Sequence, residues 1–447
     1  MRLTILGGGG FRVPLVYGAL LGDRHERRVD ELVLHDVDAG RLGVIERVLR
    51  QMAAGRPDAP TVTATTSLDE ALEGTDFVFS AIRVGGLEGR TCDERVALDL
   101  GVLGQETTGP GGLAYGLRTL PVALDIASRV ARLAPDAWFI NFTNPAGMIT
   151  QAMQTVLGDR VMGICDSPLG LGRRAAHALG LPGDATRFGY SGLNHCGWLQ
   201  TLVHDGRDVL PSLLAQPELL LSTEEGRLFG PEWLQAIGAI PNEYLYYYYF
   251  TRDALAGITG SAETRVEYLL RSQAEFYRAV GAAPQQAHEL WVDTRRRRDE
   301  TYMAEARAEG EERDETDVAG GGYEGVALAL MAAISRNERA TMLLNVRNGH
   351  AIPGVAPHAV VEVPCAVDAT GARPLAAEAL TGHELGLVQQ VKAVEELTIR
   401  AALEGSESLA VQAFALHPLV DSVTTASTLL SGYRERIPSL NAVFSGR

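Results

Sequence analysis

A regular alternation in the first third of the chain constrains the fold more than any other feature. Apolar runs at 3–7, 31–35, 76–82, 138–143 and 161–165 are separated by stretches of helical periodicity such as 41–54 and 119–133. Short apolar runs of this kind suit strands buried on both faces, and strands joined through helices form a parallel sheet with helices packed against it. The spacing therefore predicts an α/β fold with a parallel sheet over residues 1–168. Past Asp166 the pattern changes. Helical stretches at 169–180 and 263–281 mix with short strands near 187–203 and 343–367, which predicts a mixed α+β part over 169–447 sharing an interface with the first.

Charge and composition exclude several function classes. A formal net charge of -16 repels nucleic acid and anionic membrane surfaces, so neither is expected as a partner. An anionic substrate would need a local cluster of arginines. The longest apolar stretch, around 326–334, falls well short of the roughly 18 residues of a membrane span. The opening MRLTIL runs straight into strand pattern without a secretory signal, which predicts a cytoplasmic protein. Four scattered cysteines do not make a disulfide scaffold, so reduced thiols are expected and any special cysteine serves chemistry. The segment Arg295 to Asp317, four arginines followed by an acidic run, reads as a solvated helix or loop and receives no function. Gly320 to Gly322 then lead into a helix over 323–336.

Leu3–Leu6 is followed by Gly7, Gly8, Gly9 and Gly10, after which Phe11 to Pro14 open a helix. This strand–turn–helix order suits a pyrophosphate, because glycine lets backbone come close and a helix N-terminus offers N–H groups. Asp36 ends the second strand, 26 residues beyond Gly10, where a carboxylate can bond ribose hydroxyls and repel a 2′-phosphate. The unit therefore reads as a Rossmann-like NAD-binding domain, with NAD favoured over NADP. The third glycine of the full G-x-G-x-x-G pattern is missing, and a tight turn without ligand is the alternative. Asp38 reads as a cap for the following helix.

More specific blocks stand at the carboxyl ends of successive strands: Ile82 to Arg90, Gly104-Gln-Glu-Thr-Thr-Gly-Pro-Gly-Gly112, Asn141-Phe-Thr-Asn144-Pro145, Gly163-Ile-Cys165-Asp166-Ser-Pro168, Gly192-Leu-Asn194-His195 and Ile240-Pro-Asn-Glu-Tyr244. With these in order, the chain resembles the family 4 glycosidases of the NAD- and metal-dependent 6-phospho-β-glucosidase type. The likeness continues through Asn345-Val-Arg-Asn348, Glu362-Val-Pro364 and Leu416-His-Pro-Leu419. It implies oxidation of the sugar at C3 by NAD, removal of the acidified C2 proton, elimination of the aglycone, addition of water and return of the hydride. That scheme departs from the paired carboxylates of most glycosidases, and no convincing pair stands out here.

The resemblance also implies roles for single residues. Cys165 and His195 would hold a divalent metal, manganese in that family, although thiolate and imidazole suit zinc or iron equally. Taken alone, Cys165 reads as a small buried hydrophobe and His195 as a hydrogen-bonded core residue. Tyr244 would be the base at C2, singled out from Tyr246 to Tyr249 only by its Pro241-Asn-Glu context. Arg90 and Arg265 would grip the phosphate, while for Arg83 that role and ion pairing stand even. Asn144 and Asn194 would bond sugar hydroxyls near the nicotinamide.

Asp166 departs from the asparagine usual in β-specific members and matches the 6-phospho-α-glucosidases, where it looks like the general acid. Gly85 to Arg90 and Asn141 to Gly147 look β-type. The expected substrate is a phosphorylated disaccharide or aryl glucoside, and the expected assembly a homodimer or homotetramer. Three rivals remain: an α-specific member of the family, a hydroxy-acid dehydrogenase of the lactate or malate type, and a non-catalytic NAD sensor. The dehydrogenase needs no metal cysteine, and the sensor has no use for Cys165, His195 and Tyr244 together.

Overall fold

Leu3, Thr4, Ile5 and Leu6 are all fully buried, Leu3 and Ile5 in one apolar cluster and Leu6 in another. A strand with both faces covered belongs in the middle of a sheet. The computed structural model describes residues 1–260, 263–300 and 322–445, and of residues 299–300 only the backbone. Residues 301–317 of the charged run, and Gly320 and Gly321, lie outside the described residues.

Six parallel strands form the first part: β1 (Arg2–Leu6), β2 (Glu31–His35), β3 (Thr61–Thr65), β4 (Phe77–Ser80), β5 (Trp138–Asn141) and β6 (Val161–Gly163). Their spatial order is β3-β2-β1-β4-β5-β6. The later strands are β7 (Arg187–Leu193), β8 (Cys196–His204), β9 (Arg207–Asp208), β10 (Ile240–Pro241), β11 (Ala340–Arg347), β12 (Val360–Asp368) and β13 (Gly371–Pro374). They extend the same sheet: β11 joins β6 antiparallel through Asn345 and Gly163, and β12, β7, β8 and β10 follow. Among the described residues, both parts of the chain thus share one sheet of 13 strands.

Two expectations from pattern differ. β3 was not anticipated, because Thr61-Val-Thr-Ala-Thr65 is mostly solvent-facing at the sheet edge and shows no apolar run; its backbone pairing with β2 makes it a strand. The helix expected over 119–133 begins at Pro110 instead. Gly111 and Gly112 look like a loop, yet they are the helix's first turn, pressed so closely on the preceding loop that a Cβ would lie 2.4 Å from the Gln105 carbonyl oxygen and 2.7 Å from Thr107.

The sheet is covered on both faces. Val13–Gly22, Ala39–Met52 and Tyr323–Arg336 pack on one side of the parallel strands. On the other, helices Gly382–Glu404, Glu407–Leu416 and Val423–Arg436 return from the end of the chain to join Pro110–Leu133, placing Val394, Ile399, Phe414 and Tyr433 beside Leu6, Val78 and Phe139. Among the described residues, no helix is long and apolar enough to cross a membrane.

Candidate active site

The carboxyl ends of β1, β2, β4, β5 and β6 open into one cleft of about 1460 Å³. Ligands of open α/β sheets bind at this edge. Gly7, Gly9, Gly10, Asp36, Arg83, Arg90, Asn144, Cys165, Asp166, His195, Tyr244 and Arg265 all line it, along with residues that pattern did not single out.

The glycine turn is built for close packing. Gly7 has φ +82°, and a Cβ there would lie 2.7 Å from the Ala81 carbonyl oxygen, while one on Gly8 would lie 2.8 Å from Leu34 Cβ. Gly7 and Gly8 donate to the His35 carbonyl at 3.0 and 2.8 Å, Gly9 to Asp36 Oδ2 at 2.9 Å, and Gly10 to the Gly7 carbonyl at 2.9 Å. All four glycine amides therefore serve the turn itself. Asp36 also accepts from the Asp38 amide at 3.0 Å, so it fastens the turn to the end of β2 while facing the cleft. Asp38 caps Ala39–Met52, accepting from Gly40 and Arg41.

Farther along the cleft, Cys165 Sγ and His195 Nε2 stand 3.6 Å apart. Cys165 lies two residues past the end of β6, and His195 occupies the β7–β8 turn with φ +62°. Burial pushes the Cys165 thiol well up, with Glu362 and Asp166 adding to the rise, and pushes His195 down to about 4. The imidazole is consequently neutral with a lone pair to give, and the thiol would lose its proton to solvent when a cation binds the sulfur. Thr107 Oγ1 lies 2.7 Å from His195 Nδ1. Thr107 is held by its amide, which donates to Gln105 Oε1 at 2.9 Å. Among the described residues no three His, Cys, Asp or Glu side chains form a metal-holding group. A soft sulfur and an imidazole nitrogen suit a divalent transition metal, leaving its remaining positions to substrate oxygens and water.

Tyr244 stacks on the His195 ring at 3.6 Å between centroids. Its short 3-10 turn is set by Asn242, whose side chain accepts from the Tyr244 amide at 3.1 Å. The other tyrosines of the run diverge. Tyr249 accepts from Trp198 Nε1 at 3.0 Å, Tyr246 packs on Phe229 and Phe250, and only Tyr247 joins Tyr244 in lining the cleft. Asp166 carries its carboxylate 3.9 Å from the Arg12 guanidinium.

Arg83 and Arg90 do not form surface ion pairs. Both bind the largely enclosed Glu106, Arg90 at 2.9 Å, and Arg90 also meets Glu94 at 3.2 Å. Burial alone would raise Glu106, but the two guanidiniums outweigh it and hold the carboxyl at about 2. Glu94 is pushed by burial to about 7. Arg265 is the first residue of Arg265–Ala282, a helix opened by a capping box in which Thr264 and Glu267 satisfy each other's amides. Glu267 also receives a two-pronged bond from Arg95, at 2.8 and 2.6 Å, which ties this helix to Gly86–Leu98, the helix carrying Arg90.

Two placements correct the reading of the sequence. Asn194 does not line this cleft: it donates to Glu362 Oε1 at 3.3 Å and faces a separate small cavity. His195 borders both cavities, whereas Asn194 borders only the smaller one. The arginine run, read as solvated, is split by its helix: Arg295 and Arg298 line the cleft with Trp291, while Arg296 and Arg297 pair outside with Asp293. Spacings of three and four put 291, 295 and 298 on one face, which was the available signal. Thr107 and Glu106 were missed as well, since neither residue type announces a role before the loop is seen against His195 and Arg90.

Comparison with known proteins identifies the family. The family model described as "Family 4 glycosyl hydrolase" matches residues 2–181, and that of its C-terminal domain matches 190–420. A Bacillus subtilis (strain 168) protein named "Probable 6-phospho-beta-glucosidase" is 32% identical over 96% of this chain and 95% of its own length. The maltose-6′-phosphate glucosidase of the same organism is 31% identical over 96% and 94%. The 6-phospho-beta glucosidase of Thermotoga maritima, solved with manganese, NAD+ and glucose-6-phosphate, superposes with a TM-score of 0.82 at 26% identity, covering 97% of this chain and 98% of that one. Two family models that together span nearly the whole sequence, and relatives above 30% identity along its length, make this chain a member of glycosyl hydrolase family 4.

Proposed function

We propose that this chain is a 6-phospho-β-glucosidase that uses NAD and a divalent metal, manganese by likeness to the Thermotoga maritima enzyme. The observation that carries the reading is the convergence of Cys165, His195 and Tyr244 in the same cleft as the glycine turn and Asp36. When bound, NAD supplies a reversible hydride acceptor and the metal supplies Lewis acidity toward the sugar's C2 and C3 oxygens.

The chain's own residues do the rest. Asp36 accepts from the adenosine ribose. Arg265, at a helix N-terminus, holds the sugar phosphate, where the helix dipole adds to its charge. Asn144 positions the ring beside the nicotinamide. Tyr244, held flat on His195, takes the C2 proton once C3 is a ketone, and Asp166 protonates the departing glycosidic oxygen. Arg90 joins Arg265 in holding the phosphate, and the charge that Arg83 and Arg90 bring to the cleft is balanced in part by Glu106.

Asp166 together with the maltose-6′-phosphate glucosidase relative favours a second reading, α-linkage with the same chemistry. We assign the protein to the cytoplasm, because all four cysteines are unpaired, and to a homodimer or homotetramer, as the family resemblance implies. The deciding assay offers 4-nitrophenyl 6-phospho-α- and β-glucosides and their unphosphorylated counterparts with NAD and manganese. Turnover of the phosphorylated β-glucoside without net NADH is expected. Preference for the α-anomer moves the linkage, and stoichiometric NADH overturns the glycosidase reading in favour of a dehydrogenase.

A further inference from the structure

The glycine turn is gripped from outside its own strand–turn–helix unit. Tyr277 Oη donates to the Gly9 carbonyl at 2.6 Å, Trp291 Nε1 to the Phe11 carbonyl at 2.8 Å, and Tyr323 Oη to the Arg12 carbonyl at 2.8 Å. The donors come from three helices of the later part of the chain: Arg265–Ala282, Ala287–Glu300 and Tyr323–Arg336. In a planar trans peptide the carbonyl and the following N–H point in opposite directions. Drawing the Phe11 carbonyl toward Trp291 thus turns the Arg12 amide the other way, so these bonds set the orientation of the peptide units at the helix entrance.

Two of those helices also hold the other end of the cleft. Arg265 opens the first, and Tyr277 lies 12 residues on, roughly 18 Å along the same axis. Where the second helix ends, the Arg298 carbonyl accepts from Arg265 Nη2 at 3.0 Å and the Arg297 carbonyl from Tyr268 Oη at 3.1 Å. Phe11, at the turn, packs edge-on against Phe276 and beside Trp291. One helical hairpin is therefore fastened to the nucleotide turn by Tyr277 and Trp291 and carries Arg265 at its other end.

We propose that this hairpin makes the binding of NAD and of the sugar phosphate mutually dependent, with Tyr277 and Trp291 as positioning residues at the joint. Ordering the turn on a nucleotide steadies the hairpin and with it Arg265; ordering Arg265 on a phosphate steadies the turn. Linkage requires the two effects to be equal. The inference rests on the reading of Arg265 as the phosphate grip.

The test measures the dissociation constant of NAD by calorimetry on the manganese-loaded full chain, with and without saturating glucose 6-phosphate. In the natural protein, glucose 6-phosphate should tighten NAD by a factor within the roughly 5- to 150-fold typical of coupled sites. Tyr277→Phe keeps the ring and removes the bond to Gly9, and it should cut that factor by about 2- to 10-fold, the worth of one hydrogen bond. Trp291→Phe should show a similar cut, which guards against a folding defect peculiar to one variant. An equal factor in the natural protein and both variants, or no tightening in the natural protein, overturns the proposal. The underlying reading is judged separately: Arg265→Ala should weaken glucose 6-phosphate itself, and unchanged affinity would remove Arg265 as the grip whatever the linkage shows.

Discussion

The His195 imidazole lies flat against the Tyr244 phenol, ring centroids 3.6 Å apart and planes 10° from parallel. On the proposed reading, with His195 holding the metal and Tyr244 acting as the base, this stacking fixes the proton acceptor's position relative to the metal.

Tyr244→Phe preserves this stack and deletes only the phenolic oxygen. Hydrolysis should fall by about 10²- to 10⁴-fold, the usual share of a general base, with NAD affinity unchanged. The readout is incorporation of solvent deuterium at C2. Normal exchange in the variant would transfer the role to Tyr247, the other tyrosine of the run in the cleft.

Thr107 is placed to select which imidazole nitrogen is free. With its oxygen 2.7 Å from Nδ1, the hydroxyl can accept from Nδ1–H and leave the Nε2 lone pair toward Cys165. Thr107→Val should weaken manganese binding about 10- to 100-fold, as loss of such supporting bonds does elsewhere. Thr107→Ser should restore most of it. Electron paramagnetic resonance titration of free manganese measures both, and equal affinity in all three proteins would dismiss the bond.

Glu106 ties the stability of the cleft to pH. Its carboxyl sits at about 2 against an ordinary 4.5, because Arg83 and Arg90 outweigh the burial that would raise it. A depressed carboxylate contributes stability that is complete above the unfolded value and is lost as pH falls through the folded one. The shift corresponds to on the order of 3 kcal/mol, present at pH 7 and gone near pH 2. Glu106→Gln should therefore destabilise the protein at pH 7, by urea unfolding, and differ little from the natural protein at pH 2. An equal deficit at both pH values would contradict this account.

Asp166→Asn separates proton donation from metal support. A nitrophenolate leaves without help, whereas the glucose of cellobiose 6-phosphate must be protonated as it departs. The variant should slow the disaccharide by about 10²-fold or more while sparing the nitrophenyl glycoside. Equal slowing of both, with weaker manganese binding, would make Asp166 a support for the metal site instead.

The sequence by itself determined the elements whose cause is local. Leu3, Ile5 and Leu6 mark a strand that runs into a glycine turn, and Thr264 with Glu267 caps a helix without outside help, whereas the reason Gly7 and Gly8 admit no Cβ lies in Ala81 and Leu34, far along the chain. Cys165, His195 and Tyr244 stood in conspicuous blocks, but nothing local said that residues 30 and 49 positions apart from His195 in either direction would meet at its ring. Only the tertiary structure decided that, along with the features whose cause is a distant partner. β3 is a strand because β2 pairs with it, and Asn194 is held by Glu362, 168 residues away. Arg295 and Arg298 face inward because Trp291 reaches the carbonyl of Phe11, 280 residues away. Periodicity records what a residue's own segment buries; which side chain completes a site depends on contacts between segments, and those are settled only when the whole sheet and its helices pack.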